Sequence, residues 1–401
     1  MERRNPYSRF GAFNIKWSVS EASNLFCVET DKGHPDLPVL SASQEYGMVK
    51  RDNIGINMQY SKQNVASYKR VLPGRFVIHL RSFQGGFAHS SIEGITSPAY
   101  TVLKLRDPEK HDDHFWKYLF TSPEFIKRLE LVTYGIRDGR NISVEEFFDL
   151  QFCYPSTKKE QLQIAKFYTQ LDNLITAEDI KLEKLRNLKN ASFEKMFPRK
   201  GETIPQIRFG GFTGEWAKKE LSEVAGYYQV SNENVHHQNL LSLSYGKIVK
   251  RNIKSKKGLL PASFDTYQVI KENIIVLRFT DLQNDHKSLR VGLSKEEGII
   301  SPAYICLECK DNINPDYLYL LLHYYDLCKV FYGMGDGMRQ TLSYSDIKDL
   351  LLLIPEDEKE QKKIVDFFSR LDLLVSSQEK KLRKLRSLRK ALLERMFVSA
   401  Q

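Results

Sequence analysis

The sequence predicts an α+β fold in which two mixed globular regions alternate with two long antiparallel helices that form a coiled coil, an internal repeat of pseudo-twofold character. Three observations predict it. Residues 155–197 recur as residues 355–397 without a gap. The regions ahead of the two copies match each other at several points. Those regions are built of short β-branched and aromatic runs parted by Gly and Pro, with Leu- and aromatic-rich helical stretches between them.

The repeated stretch carries the strongest signal. Pro155, Glu160-Gln161, Ile164, Phe167, Leu171-Asp172, Leu174, Lys181-Leu182, Lys184-Leu185-Arg186, Leu188 and Met196-Phe197 return as Pro355, Glu360-Gln361, Ile364, Phe367, Leu371-Asp372, Leu374, Lys381-Leu382, Lys384-Leu385-Arg386, Leu388 and Met396-Phe397. About two-fifths of the aligned positions are identical, and a long internal period is weighed before anything else. The apolar residues step by three and four, which predicts one helix per copy. Pro155 and Pro355 stop the preceding strand. Thr157 and Asp357 can cap the first turn, with Glu160 and Glu360 three residues on. Neither copy contains Gly or an internal Pro. About 43 residues at roughly 1.5 Å each make a rod of about 60 Å. Its apolar seam needs a partner, and the other copy supplies one. The predicted interhelix residues are Ile164, Phe167, Leu171, Leu174, Leu182, Leu185 and Leu188, and Ile364, Phe367, Leu371, Leu374, Leu382, Leu385 and Leu388.

The 401 residues suffice for two or three domains, and an apolar content of 41% is that of a globular protein with its own cores. Sixty Lys plus Arg against 50 Asp plus Glu leave a net charge of +10. That balance suits a polyanion, nucleic acid first. Five scattered Cys residues form no disulfide framework and read as reduced thiols. Cys306 and Cys309 lack the second ligand pair that a structural zinc site needs. No apolar run follows Met1-Glu2-Arg3-Arg4, and residues 350–354 are too few to span a bilayer. A cytoplasmic protein without a membrane partner is expected.

The globular regions answer each other in order. Arg9-Phe10-Gly11-Ala12-Phe13 and Trp17 match Arg208-Phe209-Gly210-Gly211-Phe212 and Trp216. Leu40-Ser41-Ala42-Ser43 matches Leu241-Ser242-Leu243-Ser244, and Val49-Lys50-Arg51 matches Val249-Lys250-Arg251. Gly94-Ile95-Thr96-Ser97-Pro98-Ala99-Tyr100 matches Gly298-Ile299-Ile300-Ser301-Pro302-Ala303-Tyr304. Strands are predicted at 75–80, 99–105, 273–278 and 304–308, and helices at 115–129 and 317–331. Residues 198–205, with Pro, Gly and charge, read as a linker. The segments are then 1–153, 154–199, 200–353 and 354–401.

No catalytic motif emerges. A G-x-x-x-x-G-K-[ST] loop, an H-E-x-x-H pair, a Cys/His cluster and a G-x-S-x-G elbow are all missing. Ser97-Pro98-Ala99-Tyr100 and Ser301-Pro302-Ala303-Tyr304 faintly resemble the Asp/Asn/Ser-Pro-Pro-Tyr/Phe motif of amino-methyltransferases, which holds a flipped base. The second Pro is Ala here, and no glycine-rich loop for S-adenosylmethionine follows an early strand. Pro leading into a strand, with Tyr packed in the core, is the expected role. No catalytic residue, metal or cofactor is expected on this chain.

Two α+β regions alternating with two matching helices on a basic chain resemble the specificity (S) subunit of type I restriction–modification enzymes, over nearly the whole length. The resemblance implies that 1–153 and 200–353 are target-recognition domains, each reading one half of a bipartite site on double-stranded DNA. It implies that 154–199 and 354–401 are antiparallel spacer helices. Two modification subunits with S-adenosylmethionine would dock on them and supply adenine-N6 transfer. Two restriction subunits would add translocation and cleavage with ATP and Mg2+. The S subunit itself does no chemistry. Two readers on one face of a duplex belong about one helical turn apart, roughly 34–36 Å, within reach of such rods.

Arg, Gln and Asn are the natural readers of guanine and adenine edges, and Lys and Arg of phosphates. The candidates are Lys50, Arg51, Arg81, Gln84, Arg137 and Arg140 in the first region. In the second they are Lys250, Arg251, Arg278, Gln283, Asn284, Arg290, Arg339 and Gln340. Arg81 and Arg278 stand out because each follows a predicted strand and leads into a Gly-rich or polar loop. Those loops differ, Arg81-Ser82-Phe83-Gln84-Gly85-Gly86 against Arg278-Phe279-Thr280-Asp281-Leu282-Gln283-Asn284-Asp285, so an asymmetric target is expected. Other readings are a recognition subunit whose partner fuses methyltransferase and nuclease, a stand-alone DNA-binding protein, and an enzyme with its site in the Ser-Pro-Ala-Tyr strands.

Overall fold

The computed structural model describes residues 16–43, 45–54, 62–134, 141–233, 235–252, 261, 263–280, 282, 288–334 and 341–397. The chain forms two compact units, Met1–Ile180 with Glu379–Gln401, and Lys181–Gln378. Each unit therefore contains a globular region, part of the central helix Lys158–Met196 and part of the C-terminal helix Glu358–Met396.

In the first unit a four-stranded antiparallel sheet runs in the order Phe26–Glu29, Thr101–Leu105, Phe76–Ile78, Ala88–His89. Side chains alternate across it, as the period of two requires. Phe26, Phe76, Ile78, Leu103 and Leu105 join a core with Trp17, Phe115, Trp116, Phe120 and Phe397. Val77, Ala88 and Val102 face the other way, onto Leu40, Met48 and Val71. That second face is covered by the hairpin of Leu40–Ser43 with Gly47–Lys50 and by the pair Lys69–Val71 with Gly94–Thr96. A further pair, Ser18–Glu21 with Gln151–Tyr154, feeds the chain through Pro155 into the central helix.

The second unit repeats this order strand for strand. Its sheet runs Ala225–Tyr227, Ile305–Cys309, Ile275–Leu277, Val291–Leu293. Leu241–Ser244 pairs with Lys247–Lys250, Gln268–Ile270 with Gly298–Ile300, and Ala217–Glu220 with Leu351–Ile354. The four predicted strands are all present; three are shorter than predicted, and the fourth is Ile305–Cys309. The predicted helix at 115–129 is two helices, Asp113–Phe120 and Pro123–Leu129, because Pro123 starts a new one capped by the Ser122 hydroxyl. The predicted helix at 317–331 is Pro315–Leu327 and a separate short turn, Val330–Gly333, with Lys329 between them at a φ of 61°.

The repeated Glu-Gln is buried at the start of each long helix. Glu160, Gln161, Glu360 and Gln361 are each 1% exposed. Gln161 Nε2 donates to the Pro155 carbonyl (3.0 Å), and its Oε1 accepts the Asp112 backbone N–H (2.9 Å). Gln361 does the same between Pro355 (3.1 Å) and Asn314 (3.0 Å). Asp112 and Asn314 are the N-caps of Asp113–Phe120 and Pro315–Leu327. One glutamine thus ties strand exit, long-helix start and neighbouring helix start together. The Trp17 indole donates to Glu160 (3.1 Å), and Arg208 grips Glu360 through two nitrogens (2.6 and 2.8 Å).

The helices pack on each other inside each unit. In the first, Asp172 bonds Arg389 and Asp179 bonds Arg386, so one number rises as the other falls and the helices run antiparallel. In the second, Lys189 and Asp372 form the counterpart of the Asp172–Arg389 pair. The buried and half-buried positions alternate in steps of four and three: 164, 168, 171, 175, 178, 182, 185, 189, 192 and 196, and the same positions plus 200. Steps of four and three average 3.5 residues. Ile164, Leu171, Leu182, Leu185, Ile364, Leu371, Leu382 and Leu385 are among these positions. Phe167 and Phe367 flank them and pack against the unit cores. Leu174, Leu188, Leu374 and Leu388 correct the expectation, since they are 42–53% exposed and lie beside the seam. The apolar pattern misled because Glu178, Lys189, Gln378 and Arg389 occupy seam positions, leaving the neighbouring leucines as the more apolar letters.

At the helix ends, Phe397 lies against Phe115 and Tyr168 in the first core (5.7 and 6.1 Å between ring centroids). Phe197 lies against Trp216 and Tyr324 in the second (6.2 and 5.2 Å).

Leu171→Ala and Leu371→Ala are each expected to cost about 2–5 kcal/mol, whereas Leu174→Ser and Leu374→Ser should stay within about 0.5 kcal/mol. Urea titration compares the four; equal losses would restore the original seam. Gln161→Ala should cost about 1–3 kcal/mol by stranding a buried carbonyl and N–H, read as a lowered denaturation midpoint.

Candidate nucleic-acid interface

In both units the hairpin lies on the sheet face turned away from the main aromatic core. Each tip is Tyr-Gly. Tyr46 is 72% exposed and Tyr245 is 76% exposed. Gly47 (φ 72°) backs onto the His89 carbonyl so closely that a β-carbon would collide with it. Gly246 (φ 74°) donates its N–H to the Leu289 carbonyl (3.1 Å). The first tip is thereby set against the strand Ala88–His89, and the second against Leu289, just ahead of the strand Val291–Leu293.

The predicted residues are spread over the hairpins and the strand connections. Lys50 ends the first hairpin exposed, and Arg51 follows it, its Nε donating to Ser41 Oγ (3.1 Å). Arg81 and Gln84 are exposed on the short helical turn Ser82–Gly85 and its cap. In the second unit Lys250 is exposed and paired with Glu296 (2.7 Å), Arg251 is exposed, and Arg278 is half-buried. Arg137, Arg140, Gln283, Asn284, Arg339 and Gln340 lie outside the described residues.

Arg290 is a correction. It is fully buried, so it cannot reach a ligand. Its Nη1 donates to the carbonyls of Arg278 (3.1 Å) and Thr280 (2.8 Å), and its Nε to the Tyr332 hydroxyl (3.1 Å). Its backbone N–H donates to the buried Asp326 carboxylate (2.7 Å). Arg290 closes the base of the loop that begins at Arg278. The letters alone could not separate this arginine from its exposed neighbours. The tip tyrosines were missed as well, although Tyr-Gly between two alternating runs is a hairpin signal.

The Ser-Pro-Ala-Tyr segments are turns. Tyr100 and Tyr304 donate their N–H to the carbonyls of Ser97 (3.0 Å) and Ser301 (3.1 Å), and both rings pack against the second sheet face. Gly94 and Gly298 ahead of them let the strand pass close to the Pro38 and Asn239 carbonyls. Cys306 and Cys309 share one strand but belong to opposite faces. Burial pushes both thiols up to about 12. His89 and Asp113 bond at 2.6 Å with His114 beside them, a cluster whose bond pins Ala88–His89 to the helix Asp113–Phe120. No helix among the described residues is long and apolar enough to cross a membrane.

Residues 212–387 match the family described as the type I restriction modification DNA specificity domain. That stretch is similar to a type I specificity domain. The resemblance to type I specificity subunits is thereby borne out. A solved S subunit of the type I restriction-modification system from M. genitalium superposes with a TM-score of 0.58 at 16% identity, covering 99% of this chain and 100% of that one. A chain from a structure concerned with complex assembly and conformational transition of the type I R-M system gives 0.55 at 14% identity, covering 95% and 97%. At such identities the likeness shows the fold, and it agrees with the α+β class. Curated protein sequences return no match.

The buried and exposed arginines are separable by experiment. Arg290→Ala is expected to lower the denaturation midpoint of the chain, by about 1–3 kcal/mol for carbonyls left unpaired. Arg81→Ala should leave it unchanged. An unchanged midpoint in Arg290→Ala would remove its structural role.

Proposed function

We propose that this chain is the DNA sequence-specificity subunit of a type I restriction–modification complex and performs no chemistry itself. Each unit reads one half of a bipartite, asymmetric site on double-stranded DNA, and the paired helices, as one coiled coil in a pseudo-twofold repeat, set the unread spacer. The observation that carries the reading is the identical strand order of the two units combined with unlike sequences after the second sheet strand, Arg81 to Gly86 against Arg278 to Asp285. A shared scaffold with different loops suits two different half-sites.

Two modification subunits, bearing S-adenosylmethionine, dock on the helices, and two restriction subunits with ATP and Mg2+ complete the complex. The exposed leucines support this. Leu174 and Leu388 belong to the first unit, and Leu188 and Leu374 to the second, so each unit offers a matching pair to one copy of the same partner. Segments 1–153 and 200–353 would serve as target-recognition domains and 154–199 and 354–401 as spacers. The cytoplasm is the proposed compartment.

Co-expression with the modification subunit of the same system, followed by sequencing for methylated adenine, should yield a single gapped motif that disappears without this chain. With the partner folded and no motif found, a stand-alone DNA-binding role takes over. Four residues inserted in each helix add about 6 Å, and the methylated motif should widen by about one or two base pairs. An unchanged spacer would sink the ruler role. Arg278→Ala should weaken the second half-site by about 1–3 kcal/mol if it reads a base; a uniform loss on all sequences would mark a phosphate contact.

A further inference from the structure

We propose that the hairpin-tip tyrosines, Tyr46 and Tyr245, are DNA-positioning residues whose rings lie against sugar and base edges in the groove and fix the seating of each unit on its half-site. The proposal rests on the specificity-subunit reading above.

Four observations carry it. The tyrosine recurs at the same hairpin tip in both units, although the first loop is one residue longer. Both rings are largely open to solvent, so neither is held there by packing. Tyr245 has a φ of 47°, in the left-handed region that a bulky side chain rarely adopts. The two-residue turn between Ser244 and Lys247 favours Asn, Asp or Gly at that position. A tyrosine there is strained and gains no burial in return, so folding does not account for it. Finally, the flanking strand and its end are basic: Lys50 and Arg51 in the first hairpin, Lys247, Lys250 and Arg251 in the second. Acidic groups are present too: Glu45 and Asp179 act on Tyr46, and Glu296 pairs with Lys250. The lysines and arginines suit phosphates, and an exposed ring at the tip of the same hairpin suits the apolar faces that phosphate contacts leave open. The His89 carbonyl behind Gly47 and the Leu289 carbonyl bonded to Gly246 fix the backbone of each tip.

The test uses the full chain co-purified with its modification subunit and a fluorescent duplex carrying the gapped motif found by methylation sequencing. Tyr245→Ala is expected to weaken binding about tenfold and Tyr245→Phe less than about twofold. The Tyr245→Ala loss should vanish on a duplex whose second half-site is scrambled and persist when the first is scrambled. Tyr46→Ala should show the reverse dependence. Tyr245→Asn should raise the melting temperature, since Asn tolerates the left-handed region, while binding falls; a merely structural tyrosine would move both together. Wild-type complex without a preferred duplex would end the specificity reading and this proposal with it. Preferred binding that survives both alanine substitutions would end the proposal alone. Loss of the modification subunit from the variant complexes, with DNA affinity kept, would make the tips a protein-docking site instead.

Discussion

A buried glutamine at the second position of a repeated Glu-Gln is the bond on which each unit is assembled. Gln161 spends its amide on the Pro155 carbonyl and its carbonyl on the Asp112 N–H, and Gln361 copies it with Pro355 and Asn314. Proline has no N–H, so the strand must end there, and the carbonyl it leaves behind is buried and needs a donor. The same side chain then accepts from the cap of the next helix. Strand exit, rod and globular helix are thus referred to one amide group. Its neighbour is less constrained: Glu160 meets an indole and Glu360 a guanidinium. What the two copies share is the need for a buried carboxylate partner at that point, not the identity of the donor.

The seam follows a different economy of contacts. Leu171, Leu182, Leu371 and Leu382 are nearly fully buried and supply its stability. Between them stand Glu178, Lys189, Gln378 and Arg389. Exposed ion pairs contribute little to stability, yet Lys189–Asp372 and Arg389–Asp172 occur at equivalent places. An apolar seam alone tolerates slippage by a heptad. A charge that finds its partner in one alignment only discourages it, which is the best-attested use of polar groups in such seams.

How far these features could be read from the letters depends on how local their cause is. The rods, their caps and the four core strands follow from periodicity and from Pro placement, and all were legible. The break at Pro123 was legible in principle, because Ser-Pro is both a cap and a helix start. The facing of Leu174 and Leu188 was not, since it turns on a tenth of a residue per turn between a 3.5 and a 3.6 period, and on charged residues accepted into the seam. Arg290 was illegible for another reason. A buried arginine is defined by carbonyls brought to it from Arg278 and Thr280, which no local pattern announces.

The same distinction separates scaffold from specificity. Every device common to the two units lies where burial dictates it: the glutamine clamp, the Met-Phe plug, the glycine that lets Ile95 and Ile299 run close to a neighbouring carbonyl. The exposed residues Arg81 and Gln84 carry no such obligation. The two units also differ in how they are closed, with Arg290 and Asp326 inside the second and the His89–Asp113 bond inside the first. A loop held from within by buried polar groups can change its outward letters without loosening its frame. That arrangement allows one architecture to present two different outer surfaces through residues that the core does not need.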